Sequence, residues 1–112
     1  MQHSMVRMTV VLVASHPRAQ HLVQALRSLM TLTRLEPGCL TCTVWSDLDS
    51  TVRYIEEWET EADMERRVRA DTFTSLLAVM EGAEEPPGIR FDFHSFSRGL
   101  DYVREIREQT SP

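Results

Sequence analysis

Two side chains that can accept a proton, Glu56 and His94, lie in segments whose alternating pattern predicts β-strands, residues 51–58 and 89–96. A histidine titrates near neutral pH and can take a proton from a phenol. A carboxylate that faces a helix layer needs a charged partner or water, which a ligand pocket would supply. We therefore predict Glu56 and His94 as candidate catalytic residues.

For both residues a structural role is the alternative. A slip or a bulge of the strand would turn Glu56 to solvent. His94 alternates with Phe91 and Phe93, so we expect it to point away from the packed helices, where a lone histidine is often structural or exposed.

Aromatic side chains flank Glu56 on the same strand face. Tyr54 and Trp58 share its parity, and Trp58 stands where the strand passes into a helix. An indole there can stack on a flat aromatic substrate or fill the base of the core, and both roles stay open. Tyr54 and Trp58 are therefore candidate substrate contacts.

Cys39 and Cys42 have the C-x-x-C spacing that occurs in redox and metal sites. The redox motif opens a helix, but this pair lies in a run of β-formers, where residues i and i+3 point to opposite faces. We therefore expect two small core or interface residues without a disulfide or a shared metal. His3, His16 and His21 do not share ligand spacing with a carboxylate, so no metal site is predicted.

Composition limits the partners. The 112-residue chain has a formal net charge of -5, with 17 acidic and 12 basic residues, the latter all arginine. It lacks the basic character expected for binding to nucleic acid or an anionic membrane. Arg66, Arg67 and Arg69 are interpreted as a solvated helix face. No apolar run approaches the roughly 20 residues of a membrane span, and residues 1–7 lack a signal-peptide pattern, so the expected location is the cytoplasm.

Hydrophobic periodicity predicts the element order β-α-β-β-α-β. Apolar residues on both parities of the first strand predict a central strand that is buried on both faces. Thr60 and Asp63 have N-cap spacing, and Asp71 is expected to cap a second helical segment after a break. The predicted strands are residues 5–14, 39–48, 51–58 and 89–96; the helices are 18–34 and 60–80, with a helical stretch at 100–109.

This order predicts an α+β chain with a ferredoxin-like antiparallel sheet and both helices on one face. We predict one domain over residues 5–98, a disordered N-terminus at 1–4 and a partly helical tail at 99–112. The other sheet face would expose Thr41, Thr43, Trp45 and Ile55. Such a patch favours a partner, and a homodimer that packs sheet against sheet would cover it.

Two short motifs resemble a known family: Glu-Pro-Gly-Cys-Leu at residues 36–40 and Tyr-Ile-Glu-Glu-Trp-Glu-Thr-Glu at residues 54–61. Together with the elements between them, they are similar to the antibiotic biosynthesis monooxygenase (ABM) domain. The resemblance implies a dimeric α+β barrel whose enzymes oxidise polycyclic aromatic or quinol substrates with dioxygen. It also implies no flavin, metal or haem cofactor, and a small aromatic substrate held between the sheet and the helices.

The sequence departs from the family pattern in the second helix. Many quinol-oxidising members have a His before a Phe there, and Thr72 and Phe73 occupy those positions. A threonine is not a base near neutral pH, so both are named as candidate substrate contacts, and Phe73 can equally be core. Residues 76–79 lack the histidine of a haem-degrading branch, so haem degradation is not expected.

The functional prediction is therefore a cofactor-independent monooxygenase that oxidises an aromatic hydroxy compound or a quinol. One alternative is a non-catalytic dimeric domain that binds a small molecule or only assembles. Another is an isomerase of the same fold, with Glu56 or His94 as its base.

Overall fold

The computed structural model describes residues 5–47, 50–93 and 96–109. It confirms the α+β class and the ferredoxin-like arrangement, and a single chain does not close into a barrel. Within the described ranges, no helix combines the length and hydropathy that a membrane span requires. The elements are β1 (Val6–Val13), α1 (His16–Thr33), β2 (Cys39–Ser46), β3 (Thr51–Trp58), α2 (Glu61–Arg69), α3 (Asp71–Met80), β4 (Gly88–Asp92), β5 (Ser97–Arg98) and α4 (Leu100–Glu108).

The sheet has the order β2-β3-β1-β4-β5, and every pair is antiparallel. The prediction that β1 is central is confirmed, because it pairs with β3 on one side and β4 on the other. One parity of β1 is fully buried beneath the helices, whereas the other is exposed or only partly buried. The expectation of burial on both faces is therefore wrong for the single chain, because the helices cover one face of the sheet.

Helix α1 begins two residues earlier than predicted, at His16. Ser15 is the N-cap and Pro17 lies in the first turn, where a missing N–H removes no helical hydrogen bond. The predicted apolar stripe is confirmed, since Leu22, Leu26 and Met30 are buried against the sheet side.

The second helical segment is divided as predicted. The Thr60 hydroxyl accepts a hydrogen bond from the Asp63 N–H at 3.1 Å, which caps α2. Ala70 is extended, ends α2 and serves as the N-cap of α3. Asp71 lies in the first turn of α3, so its predicted capping role is wrong.

The predicted last strand is a hairpin instead. Strand β4 ends at Asp92, and the Phe93 N–H donates to the Phe96 carbonyl at 2.7 Å before β5 returns. His94 lies outside the described residues, as do residues 1–4. The predicted tail helix is confirmed as α4, whose Tyr102 packs on Phe91 with ring centroids 4.7 Å apart.

A β-bulge interrupts β2 at its start. Cys39 pairs with Trp58 and Thr41 pairs with Glu57, so Leu40 is an extra residue on β2. The bulge turns Cys39 to the same face as Cys42, and it leaves Leu40 exposed. The prediction that the two cysteines face opposite ways is therefore wrong. Both thiols are free.

Candidate functional site

A buried polar cluster lies on the helix side of the sheet, at the end where β3 passes into α2. Tyr54, Glu56 and Trp58 alternate along β3 and therefore project to this side. Tyr54 and Glu56 are 0% exposed and Trp58 is 1% exposed. Of the two alternatives for Glu56, the structure shows the helix-facing one.

The Glu56 carboxylate accepts four hydrogen bonds. Arg67 donates from Nε to Oε1 at 3.0 Å and from Nη2 to Oε2 at 2.8 Å. Trp58 donates from Nε1 to Oε1 at 2.9 Å, and the Tyr54 hydroxyl donates to Oε2. Because a carboxylate has about four acceptor positions, Glu56 is saturated in this arrangement. We call Tyr54, Glu56, Trp58 and Arg67 the Glu56 cluster.

Arg67 supplies the positive charge of the cluster. It is 1% exposed, so its assignment to a solvated helix face is wrong. Its Nη1 donates to the Thr72 hydroxyl at 2.9 Å, and its guanidinium carbon lies 5.3 Å from the centroid of the Phe73 ring. Burial alone would lower the pKa of Arg67, but the hydrogen bonds and charge of Glu56 raise it above its ordinary range, so Arg67 stays a cation.

The hydroxyl and thiol groups beside Glu56 stay protonated near neutral pH. The Cys42 thiol donates to the Tyr54 hydroxyl at 3.2 Å. Burial raises the pKa of Cys42 to about 12, and burial with the nearby Glu56 charge raises the pKa of Tyr54 well above its usual range. Burial also raises the pKa of Cys39. Neither thiol therefore has the low pKa of a reactive cysteine.

The structure brings together five of the six predicted site residues around one arginine. Tyr54, Glu56 and Trp58 form its carboxylate side, while Thr72 and Phe73 contact Arg67 from α3. His94, the sixth, lies outside the described residues. With all its acceptor positions taken, Glu56 cannot receive a substrate proton until a donor leaves. Its catalytic role stays a prediction.

Two open spaces lie away from the Glu56 cluster. A groove of about 510 Å³ runs between α1 and the C-terminal end of α3, and a second hollow of about 450 Å³ lies between the start of α1 and the end of β2. Neither is lined by a residue of the Glu56 cluster. Across the described part of the chain, no three His, Cys, Asp or Glu side chains group closely enough to hold a metal ion.

Comparison with protein families shows an evolutionary relationship of this chain that its geometry alone does not show. The sequence profile described as antibiotic biosynthesis monooxygenase matches residues 5–79. This chain belongs to the ABM family. The match runs from β1 to the end of α3 and includes the whole Glu56 cluster, so the cluster is part of the ABM domain in this chain.

Solved structures support the same fold. A conserved protein from Methanosarcina mazei aligns with a TM-score of 0.70 at 20% identity, over 79% of this chain and 90% of that one. A protein from Shewanella oneidensis aligns with a TM-score of 0.71 at 20% identity, over 84% and 93%. A structure titled antibiotic biosynthesis monooxygenase aligns with a TM-score of 0.65 at 19% identity, over 78% and 95%. No curated protein matches the chain significantly.

Arg67 is the central residue of the Glu56 cluster, and it was not predicted from the sequence. Arg67 lies three residues after Met64 and next to Val68, and all three are buried on α2. That spacing places Arg67 on the apolar stripe of the helix. An arginine on a buried stripe, combined with a glutamate on the buried parity of β3, would have indicated the ion pair.

Proposed function

We propose that this protein is a monooxygenase that oxidises a small aromatic hydroxy compound or a quinol with dioxygen, without a flavin, metal or haem. The ABM profile match over residues 5–79 carries the proposal. The concentration of aromatic side chains around Glu56 also supports it, because such groups contact flat aromatic ligands favourably.

The proposed reaction inserts one oxygen atom of dioxygen into a ring-activated carbon. A base first removes a proton, and the electron-rich anion of the substrate then reduces dioxygen. When a methylene carbon is oxidised, its two C–H bonds break, a C=O bond forms and the second oxygen atom leaves as water. Four electrons pass from carbon to dioxygen, so the reaction needs no other reductant.

We propose Glu56 and His94 as the bases and Tyr54, Trp58, Thr72 and Phe73 as substrate contacts. These roles require the substrate to separate Arg67 from at least part of the cluster, because Tyr54, Glu56 and Trp58 are closed to solvent. Loss of one Arg67 hydrogen bond would free an acceptor position on Glu56, which could then receive a proton.

We also propose that the protein acts as a homodimer through the uncovered sheet face. Trp45 is 43% exposed there. Ile55 and Val11 are partly buried on the same face, and Thr41 and Thr43 are exposed. An apolar strip with an exposed indole on the edge strand β2 supports packing against a second sheet.

A non-catalytic binding or assembly domain is the second candidate, and the saturated Glu56 favours it. A carboxylate with four protein donors resembles a structural ion pair more than a free base. Under this alternative the Glu56 cluster holds β3 against α2 and α3 and does no chemistry.

Oxygen uptake with anthrone and 1,4-naphthoquinol separates the two candidates. We expect uptake by the unmodified protein well above the rate of spontaneous oxidation. Trp58→Phe should lower the rate about tenfold, which corresponds to about 1.4 kcal/mol, because the smaller ring reshapes the aromatic wall that contacts the substrate. Tyr102→Phe, on α4 and outside the Glu56 cluster, is the matched control and should stay within about twofold. Uptake at the spontaneous rate with both compounds would leave the non-catalytic candidate.

A further inference from the structure

We infer that the groove between α1 and α3 is a further binding site for a flat aromatic compound that carries an acidic hydroxyl. The choice of ligand class rests on the proposed function, whereas the location rests on the groove itself. The site is separate from the Glu56 cluster, none of whose members lines it. We call it the α1–α3 groove.

The walls of the groove are apolar and include small residues. Leu22 and Ala25 come from α1, and Ala78 and Val79 come from α3. The two alanines leave a slot between the helices, and the space of about 510 Å³ falls within the range of small-molecule sites. Alanine side chains on opposite helices suit a planar ring better than a bulky aliphatic group.

Gly82 lies close to α1 at one edge of the groove. A Cβ placed on Gly82 would lie 3.2 Å from Leu22 Cδ2 and 3.2 Å from the Val79 carbonyl oxygen of the preceding turn. The chain after α3 therefore packs against Leu22 at this edge.

The polar groups lie together at one end of the groove. Arg18 and His21 are exposed on neighbouring turns of α1, and none of the lining residues is acidic. Arg18 donates to the Gly82 carbonyl at 3.3 Å and pairs with Glu84 at 3.6 Å, but both side chains are about half exposed. Such exposed pairs are weak, so Arg18 can turn toward a ligand. The Glu84 carboxylate also accepts a hydrogen bond from Ser15 of the lining, so an acidic oxygen of a ligand would replace this carboxylate as the partner of Arg18.

Binding here does not require the Glu56 cluster to open. An aromatic compound that enters the cluster must displace a donor from a buried carboxylate, which is unfavourable. The α1–α3 groove already has an apolar slot, with Arg18 and His21 at one end. We therefore expect the first binding of a hydroxylated aromatic compound to occur in the groove.

Titration of the ¹⁵N-labelled protein with 1-naphthol tests the inference under nitrogen, so that no oxidation occurs. We expect the amide signals of Ala25, Ala78 and Gly82 to shift together. Ala78→Leu fills the slot and should weaken binding at least tenfold, and Arg18→Gln should weaken it severalfold. Ala62→Leu, at an exposed alanine of α2, is the matched control and should stay within twofold.

Three results would overturn the inference. The first is that the amide signals of the groove do not shift up to the solubility limit of 1-naphthol. The second is that only signals of residues around Trp58 shift. The third is that Ala78→Leu binds 1-naphthol with unchanged affinity. The outcome is independent of catalysis. Groove binding without oxygen uptake would support this site and count against the monooxygenase proposal, whereas uptake without groove binding would remove this site alone.

Discussion

At the scale of single residues, Arg67 is the side chain whose loss should matter most. It forms a fully buried pair with Glu56, and a partner left alone there is an uncompensated charge. We expect Arg67→Met to lower the free energy of unfolding by about 3–5 kcal/mol. Urea unfolding followed by circular dichroism measures the change.

The neighbouring Arg66 is the control for this prediction. Its side chain is 54% exposed and pairs with Asp63 at the surface, so Arg66→Met should cost less than about 1 kcal/mol. The double variant Glu56→Leu/Arg67→Met should recover much of the loss, because it removes both buried charges. Equal effects of Arg66→Met and Arg67→Met would contradict the assignment.

Two buried tyrosines should respond in opposite directions to the same substitution. The Tyr54 hydroxyl donates to Glu56, so Tyr54→Phe should destabilise the protein by about 1.5–3 kcal/mol. The Tyr102 hydroxyl is buried without a hydrogen-bond partner among the described residues, so Tyr102→Phe should leave stability unchanged or raise it by about 1 kcal/mol. Thermal and urea unfolding of both variants provide the test; destabilisation by Tyr102→Phe would reveal a partner for its hydroxyl.

One partner of the central ion pair, Glu56, was predicted from the sequence, whereas the other, Arg67, was not. The parity of β3 put Glu56 on the helix side and predicted that it needs a partner or water. It did not choose Arg67, because Arg66, Arg67 and Arg69 look alike when read as a cluster. The apolar stripe of Met64 and Val68 distinguishes them, because Arg67 is the arginine that lies on it.

At the scale of elements, local patterns predicted most of the structure. Strand β3 occupies the predicted residues 51–58, and the break between α2 and α3 falls at Ala70 as expected. The failures occur where tertiary contacts override a local pattern. Residues 89–94 alternate between apolar and polar, yet the chain reverses after Asp92, and α4 then packs Tyr102 against Phe91.

The turn before β2 depends on one glycine. Gly38 has φ 87°, and a Cβ there would collide with the Asp63 carboxylate at the start of α2. Gly38→Ala should therefore destabilise the protein by about 2 kcal/mol, from the left-handed backbone and from disturbance of the α2 cap. Gly88→Ala is the matched control, since its Cβ would lie 3.9 Å from the nearest atoms. We expect this variant to change stability by less than about 0.5 kcal/mol.

The denaturation midpoints of the two alanine variants test whether the turn requires a glycine at position 38. A midpoint for Gly38→Ala that equals that of Gly88→Ala would show that the turn relaxes without cost. The expected difference would instead link the turn at residues 36–38 to the start of α2.

At the scale of the whole molecule, the uncovered sheet face predicts the assembly. We expect size-exclusion chromatography with light scattering to give the mass of two chains of 12.9 kDa each. Ile55 lies opposite Thr9 and Thr43 on that face, so Ile55→Asp should place a charge in the interface and give the mass of one chain.

A charge on the helix side serves as the control. Ser28 is exposed on α1, and Ser28→Asp should leave the mass unchanged. A single-chain mass for the unmodified protein at micromolar concentration would contradict the homodimer proposal.

The bulge at Leu40 also affects how this chain is compared with its relatives. Successive side chains of a strand point to opposite faces of the sheet. One extra residue therefore turns every side chain on one side of it to the opposite face. A relative with a regular strand therefore needs a one-residue gap at Leu40 in any alignment. Without that gap, Cys39 and the turn before it would be matched to residues that face the other side of the sheet, and a shared buried position would be read as a substitution.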